Sequence, residues 1–224
     1  MALSVDYLYR YALALIRKNQ SSSLSSTEFG YFWNDAQNAY MGDLLGRFQN
    51  RNNGKSGNNT GIIQNAEILT LLSPFTTPNT LSVSAGQANK PANFIRGLAL
   101  RVNDHEVYMI NKGQIQSVLN SVIDPPSISE NTYYGTEYEG YYKIWPSTVT
   151  SLDLDYIRKP AQVIWNFSFD GNNRQVYDPT GSVQSEWDLL SDMEITKRML
   201  KGLGVSFSSQ DFAGFGQSVI NSGE

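Results

Sequence analysis

Hydrophobic positions in the first third of the chain recur at helical spacing. A first helix is predicted over about residues 4–18, where apolar residues fall on one face: Leu8, Ala12, Leu15 and Ile16. After a serine-rich break, Ser25 and Glu28 match a capping box, in which each side chain accepts a hydrogen bond from the other residue's backbone amide. A second helix should then run to about residue 48. The two helices are expected to form an antiparallel pair.

The spacing of hydrophobic positions changes from Thr80 onward. Residues 50–61 are rich in Asn and Gly and predict a mobile loop, and residues 62–72 predict a short third helix. From Thr80 onward, apolar residues occur in short runs separated by Gly, Pro and Asn-Asp turns, which indicates strands. These runs cover residues 81–83, 94–102 and 106–110.

A helix over residues 112–122 is expected to end before Pro125, because proline removes an amide donor and clashes with the preceding turn. An aromatic hairpin around Gly140 should follow over residues 133–145. Residues 148–158 alternate strictly, with Leu152, Leu154 and Tyr156 on one side and Asp153 and Asp155 on the other. That alternation predicts a half-buried strand.

The segment from Asp155 to Trp187 is the most informative part of the chain. Pro160 stops the strand, and residues 163–169 then face residues 174–177 across an Asp-Gly-Asn-Asn turn typical of hairpins. A helix is predicted over residues 187–203 and a weaker one over residues 210–220. We interpret this segment as a sheet edge that leads into a protruding element, which indicates assembly rather than catalysis.

The order of elements predicts an α+β fold. It consists of an N-terminal helical pair, an antiparallel sheet or sandwich with hairpins, and C-terminal helices. Three segments are expected: a helical region over residues 1–75, a β region over residues 76–180 with its short helix near residues 112–122, and a helical extension over residues 181–224. The alternative is one continuous domain.

Composition narrows the class of function. The 224 residues include no cysteine, so disulfides, thiolate metal sites and cysteine nucleophiles are excluded. Charged residues make up 17% and the net charge is -4, which does not suggest broad phosphate neutralisation. Neutral polar residues and 13 tyrosines suit protein–protein contact. We expect neither a signal peptide nor a membrane segment.

Candidate chemistry is sparse. Gly54-Lys55-Ser56 lacks the earlier glycine and the preceding strand of a phosphate-binding loop. His105, the only histidine, is expected in a turn, where a solvated residue is commoner than a metal ligand or a base. Asp153 and Asp155 are close enough to share a cation, but such a pair more often faces solvent or a basic neighbour. We therefore predict no catalytic residue, no metal site and no cofactor.

Several motifs together resemble a known family. They are Asn89-Lys90-Pro91-Ala92-Asn93-Phe94, Asp124-Pro125-Pro126-Ser127, Tyr142-Lys143-Ile144-Trp145-Pro146, Leu152 to Pro160, Tyr177-Asp178-Pro179 and Ser185-Glu186-Trp187. From Gly61 onward the chain resembles the head–tail connector ring proteins of short-tailed bacteriophages. It is most similar to the ring proteins of crAss-like phages.

This resemblance implies a structural virion protein that is not an enzyme. The protein would form a homo-oligomeric ring, expected to be twelvefold, between the portal protein and neighbouring ring or tail proteins. Phage DNA would pass through the lumen without sequence-specific binding, and the ring would be assembled in the bacterial host cytoplasm. The candidate contacts between subunits are Tyr133, Tyr134, Tyr142, Trp165, Phe167, Tyr177, Trp187, Met199 and Phe212. The alternative is a β-rich module that binds a carbohydrate or a peptide through exposed aromatic residues.

Overall fold

A computed structural model describes residues 3–18, 24–52 and 60–204. The chain divides into two compact units. The helical unit comprises Met1–Leu71 and Pro160–Glu224, and the barrel unit comprises Leu72–Lys159. This division differs from the three consecutive segments predicted from the sequence. The chain after Pro160 belongs to the same unit as the N-terminal helices, so the C-terminal helix completes a core rather than extending from one.

Helices and strands occur together, which confirms the α+β class. The helices are α1 (Val5–Lys18), α2 (Ser26–Asn52), α3 (Thr60–Leu72), α4 (Ile115–Leu119) and α5 (Leu189–Gly202). Single 3-10 turns span Ser73–Phe75 and Lys112–Gln114. The strands are β1 (Thr76–Ser84), β2 (Gln87–Asn89), β3 (Phe94–Val102), β4 (His105–Met109), β5 (Tyr133–Glu137), β6 (Tyr141–Trp145), β7 (Ser151–Arg158), β8 (Phe167–Phe169) and β9 (Gln175–Tyr177). The predicted helix over residues 210–220 lies outside the described residues.

The helical unit is built on contacts of α2 with α5, and α1 joins it through aromatic packing. The Tyr9 ring on α1 meets the Phe29 ring on α2 edge-on, with centroids 5.3 Å apart. Phe29 and Trp33 are fully buried, as are Ile195 and Leu200 on α5. Burial of these large side chains supplies most of the stability of the unit.

The predicted capping box at the start of α2 is confirmed. The Ser25 amide donates to Oε2 of Glu28 at 2.8 Å, and the Glu28 amide donates to Oγ of Ser25 at 3.2 Å. These two bonds satisfy amides that a helix start otherwise leaves without partners. The hydrogen bonds also lower the pKa of Glu28.

Replacing Ser25 with alanine is therefore expected to lower the free energy of unfolding by about 1 kcal/mol. Ser25→Thr keeps the hydroxyl acceptor and is the matched control, with little expected change. Chemical denaturation followed by circular dichroism measures both variants. Equal denaturation midpoints for S25A and S25T would show that the capping bonds do not stabilise α2.

The strands of the barrel unit form a closed barrel, so the expectation of a sandwich is wrong. The order around the barrel is β1-β2-β6-β5-β4-β3-β7, and β7 pairs with β1 to close it. β4 and β5 run parallel, and the other pairings within the barrel are antiparallel. The parallel pair arises because a crossover containing α4 connects these two strands.

The alternation predicted for residues 148–158 is confirmed in β7. Leu152, Leu154 and Tyr156 are buried among the other barrel residues, whereas Asp153 and Asp155 are partly exposed. β7 pairs with β1 on one side and with β3 on the other. It is therefore not the sheet edge that the sequence suggested, since alternation shows which side is buried but not how many strands lie alongside.

The helix predicted over residues 112–122 is much shorter in the structure. A 3-10 turn leads into α4, which ends at Leu119. Val122, the last residue of the predicted helix, is 95% exposed, and its neighbour Ile123 is 96% exposed. The residues before Pro125 thus form a loop that presents two aliphatic side chains to solvent.

Candidate assembly site

The hairpin formed by β8 and β9 was predicted from its turn, and the structure confirms it. Phe167 pairs with Tyr177 and Phe169 with Gln175. Within the turn, Oδ1 of Asp170 accepts hydrogen bonds from the amides of Asn172 and Arg174, each at 2.8 Å. Among the described strands, β8 and β9 pair only with each other. Within the described ranges, both outer edges of this two-stranded ribbon are therefore without a strand partner.

An aromatic row connects this hairpin to the interior of the helical unit. The rings of Trp165 and Phe167 are 5.7 Å apart, and those of Phe167 and Phe169 are 5.4 Å apart. Trp165 is buried and donates from Nε1 to Asp6 at 3.1 Å. Phe169, at the other end of the row, is 61% exposed. The buried tryptophan anchors the hairpin, and the phenylalanine presents an apolar surface to solvent.

A groove of about 410 Å³ lies beside this row in the helical unit. It is lined mainly by residues from the start of α2 and from the extended segment before β8: Ser26, Thr27, Gly30, Tyr31, Asn34, Gln162, Val163, Ile164, Trp165, Asn166 and Phe167. Asn34 fixes the extended segment, because its side chain accepts from the Val163 amide at 2.8 Å and donates to the Val163 carbonyl at 3.1 Å. Tyr31 is 73% exposed at the groove.

The barrel unit also carries several exposed apolar side chains. Tyr108 and Met109 on β4 are exposed, as are Val122 and Ile123 in the following loop. The Tyr108 ring lies 5.9 Å from that of Tyr134, whose hydroxyl donates to Oδ2 of Asp124 at 2.7 Å. The hydrogen bond to Asp124 raises the pKa of Tyr134 to about 12. The hydrogen bond ties Asp124, at the end of this loop, to β5, the strand that pairs with β4.

A cleft of about 140 Å³ adjoins β4, because β3 and β4 separate soon after their turn. Only two residue pairs join them, Arg101 with Glu106 and Val102 with His105. The register between β3 and β7 is interrupted twice, between Phe94 and Arg96 and between Gly97 and Ala99, which bends β3. The cleft is lined by Gly97, Leu98, Ala99, Leu100, Glu106, Val107, Met109, Glu137 and Tyr142.

Most of the side chains predicted to contact a neighbouring subunit lie inside the chain's own units. Tyr133, Tyr134, Tyr142, Trp165, Trp187 and Met199 are buried. They are therefore not direct contacts between subunits, because a side chain with almost no exposed surface stabilises its own unit. Phe167 and Tyr177 are partly exposed on the hairpin and remain candidates. Phe212 lies outside the described residues.

Several exposed residues were not anticipated as contacts. Phe169 lies within the hairpin that sequence analysis identified, and its alternation with Phe167 and Trp165 was the available signal. Val122 was assigned to the end of a helix, and Ile123 follows it directly. The double proline that follows them indicated an irregular segment, but no pattern in the sequence showed that the helix ends before Val122. The exposure of Tyr31 could not be recognised from the sequence, because this residue lies within a continuous helical pattern.

The two aspartates considered as candidate chemistry have partners within the barrel unit. Asp155 forms an ion pair with Arg101, which confirms a basic neighbour, and Oδ1 of Asp153 accepts from the Thr80 hydroxyl at 2.7 Å. His105 is exposed where β3 turns into β4. Within the described part of the chain, no three His, Asp or Glu side chains group as metal ligands. Gly54, Lys55 and Ser56 lie outside it.

One buried carboxyl group, that of Asp192, makes the stability of the helical unit depend on pH. Burial raises the pKa of Asp192 from 3.8 to about 7, although hydrogen bonds from Ser185 and the Leu3 amide act to lower it. The folded protein therefore holds a proton on Asp192 that the unfolded chain releases above about pH 4. This contribution to stability is fully present below the unfolded pKa and is lost as pH rises through about 7.

Replacing Asp192 with asparagine is expected to remove this pH dependence, because the amide does not titrate. Relative to wild type, D192N should gain more than about 1 kcal/mol in unfolding free energy between about pH 4 and pH 8. Urea denaturation of the two proteins across this range measures the difference. Parallel pH profiles for wild type and D192N would contradict the raised pKa of Asp192.

Among the described residues, no helix has both the length and the hydrophobicity needed to cross a membrane. No protein-family model matches the chain, and no curated protein is significantly similar to it.

Proposed function

We propose that the protein is a structural subunit of a homo-oligomeric ring in the head–tail connector of a short-tailed phage. The ring would lie between the portal protein and neighbouring ring or tail proteins and would leave a channel for the genome. The sequence motifs that resemble connector ring proteins support this proposal. It requires neither an enzymatic activity nor a cofactor.

The observation that carries the proposal is the β8–β9 hairpin. Its strands have no strand partner other than each other among the described residues, and its aromatic row leads from buried Trp165 to exposed Phe169. An isolated two-stranded hairpin is marginally stable, and exposed strand edges invite pairing with another chain. A hairpin anchored in this way is suited to contact another subunit.

The exposed apolar surface of the barrel unit supports the same proposal. A closed ring requires two different surfaces on each subunit, since each copy contacts its neighbours head to tail. The hairpin and the surface around Val122 and Ile123 lie in different units of the chain and therefore supply two such surfaces. The net charge of -4 also suits a channel through which DNA must slide.

The location of the protein in intact particles tests this function. A gold-labelled antibody against the chain should mark the junction of head and tail in particles of the encoding phage. The control is a mutant of the same phage that keeps the portal but has no tail. Label on its particles shows that the antibody marks the connector and not the tail. Label on the capsid shell or on fibres, or particles without the protein, would contradict the proposal.

A second candidate function is favoured by the groove beside α2. Tyr31, Trp165 and Phe167 provide aromatic surface there, and Asn34 and Asn166 provide amide groups. Aromatic surface and a few placed polar groups are typical of ligand sites, including those for carbohydrates or peptides. Glycan and peptide arrays probed with wild type and Tyr31→Ala distinguish the two functions. Binding that is lost in Y31A would favour the module, and no binding is expected of a ring subunit.

A further inference from the structure

The hydrogen bonds of the β8–β9 hairpin show which of its backbone groups point outward. At the ends of β8, the Asn166 carbonyl accepts from the amide of the residue after β9, and the Asp170 amide donates to the carbonyl of the residue before β9. In an antiparallel pair, residues bonded to the partner strand alternate with residues whose amide and carbonyl point the other way. Phe167 and Phe169 occupy these alternate positions. Their backbone groups therefore face outward, and we name this side of the hairpin the β8 edge.

The β8 edge lies beside the groove next to α2. Ile164 exchanges both of its backbone bonds with Val183, so the backbone of Val163 faces the other way, along the β8 edge. There the amide and the carbonyl of Val163 both bond to the Asn34 side chain, which takes the place of a neighbouring strand. Beyond Asn34, the groove of about 410 Å³ leaves space along the edge as far as Phe167. Among the described residues, no strand covers this edge.

β9 presents the complementary edge. Gln175 and Tyr177 lie directly opposite Phe169 and Phe167, so their amide and carbonyl groups also point away from the hairpin. We name this side the β9 edge. Each edge offers backbone donors and acceptors at every second residue, the spacing that an antiparallel partner strand requires. In the part of the chain that the structure describes, every barrel strand has neighbours on both sides, whereas these two edges have none.

We propose that the β9 edge of one copy forms an antiparallel main-chain ladder with the β8 edge of the next copy, with Gln175 opposite Phe169. This inference rests on the proposed ring function and names the contact that joins its subunits. A rotation about an axis along the strands keeps β8 parallel in all copies, so each β9 runs antiparallel to the β8 beside it. Because two different edges meet, the contact is heterologous and repeats around a ring.

A second copy of the chain satisfies both edges of the hairpin at once. In a closed ring, every β8 edge and every β9 edge has a partner, which removes the open edges that otherwise favour aggregation. Pairing of two β8 edges about a two-fold axis would leave both β9 edges open. A strand from an unrelated protein on the β8 edge would also leave the β9 edge without a partner. The two edges of this chain are therefore the better match for each other.

The side chains of the hairpin favour the same pairing. Phe167, Phe169 and Tyr177 lie on one face, because alternate residues of a strand and directly opposite residues of two strands share a face. Phe169 is 61% exposed, and the other two rings are half-buried. An antiparallel β9 added at the β8 edge continues this face, so that its Tyr177 packs beside Phe167 of the receiving copy. Aromatic pairs across neighbouring strands stabilise a sheet.

Proline at position 175 tests the main-chain ladder. Gln175 is the first residue of β9 and its amide points outward, so Gln175→Pro removes a bond to the next copy but none within the hairpin. Gln175→Ala is the matched control, since it shortens the side chain and keeps the amide. Analytical ultracentrifugation should show a dissociation constant for ring assembly at least about tenfold higher for Q175P than for Q175A. Circular dichroism verifies that both variants fold.

Cysteine cross-linking identifies the partner of the β8 edge, because the natural chain contains no cysteine. Phe169→Cys and Gln175→Cys, introduced in separate chains and mixed under mild oxidation, should form a disulfide-linked dimer of the two variants. The control is Lys201→Cys mixed with Gln175→Cys, which should stay unlinked, since Lys201 is exposed on α5 and belongs to neither edge. A disulfide between two F169C chains instead would show two-fold pairing of β8 edges and overturn the inference.

The outcomes separate this inference from the ring function. If the wild type forms rings and Q175P assembles like Q175A, or the F169C and Q175C chains link no more than the control, the pairing of edges is overturned and the ring function stands. If Q175P loses assembly and the mixed chains link, the inference is supported. If Q175P does not fold, the cross-link alone decides. If the wild type is monomeric both alone and with the portal, ring function and edge pairing fail together.

Discussion

Replacing Trp187 with alanine is expected to lower the free energy of unfolding of the helical unit by about 3–5 kcal/mol. Trp187 is only 1% exposed, and its ring meets that of Tyr40 edge-on at 5.1 Å. Its Nε1 donates to the buried Gln37 side chain at 3.3 Å. The substitution therefore leaves a large cavity and removes a partner from a buried amide.

The substitution also affects a polar network between α2 and the chain after Pro160, because Gln37 belongs to that network. Nε2 of Gln37 donates to Asn34 at 2.7 Å and to the Ala161 carbonyl at 3.0 Å. Asn34 in turn holds Val163, close to the start of the hairpin. Loosening Gln37 is thus expected to disturb the segment that positions β8.

Urea denaturation followed by circular dichroism at the helical band measures this effect. Tyr31→Ala is the control, since Tyr31 is largely exposed and its removal should change the unfolding free energy by less than about 0.5 kcal/mol. If W187A kept wild-type stability and lost only assembly, Trp187 would be a subunit contact, as sequence analysis suggested. The structural assignment of Trp187 to the core would then be wrong.

A fragment of residues 72–159 is expected to fold alone, with an unfolding free energy of about 5 kcal/mol or more. All strand pairs of the barrel lie within these residues, including the β1–β7 pair that closes it. Its core is formed by side chains from the same segment, among them Tyr133, Tyr142 and Ile144. The fragment therefore contains every contact that defines the barrel.

The complementary experiment truncates the chain after Pro160. It retains the barrel but removes α5, which packs on α2, so Phe29 and Trp33 lose the buried environment of the helical unit. We expect cooperative unfolding of the barrel, loss of helical signal beyond the deleted residues, and no ring. A fragment of residues 72–159 without a cooperative transition would show that the barrel is not an independent unit.

Local elements of this fold could be predicted from the sequence because their signals are local. The Ser25–Glu28 capping box, the alternation from Leu152 to Tyr156 and the turn after Phe169 each depend on residues a few positions apart. Barrel closure could not be predicted in this way. It depends on the pairing of β1 with β7, strands far apart in sequence, and alternation is the same in a sandwich and in a barrel.

The candidate assembly site was predicted only in part for a related reason. Aromatic residues mark both cores and interfaces, and the sequence does not show which rings are covered by other parts of the same chain. Trp187 and Tyr142 are covered, whereas Phe169 is not. The two aliphatic residues Val122 and Ile123 had no distinguishing pattern, because their exposure follows from the early end of α4.

The mass of the assembled protein tests the central claim most directly. Native mass spectrometry at micromolar concentration, with and without the portal protein of the same phage, measures the number of copies. We predict one closed oligomer with a fixed number of subunits, formed alone or on the portal as template. A protein that stays monomeric and does not bind the portal would contradict the account.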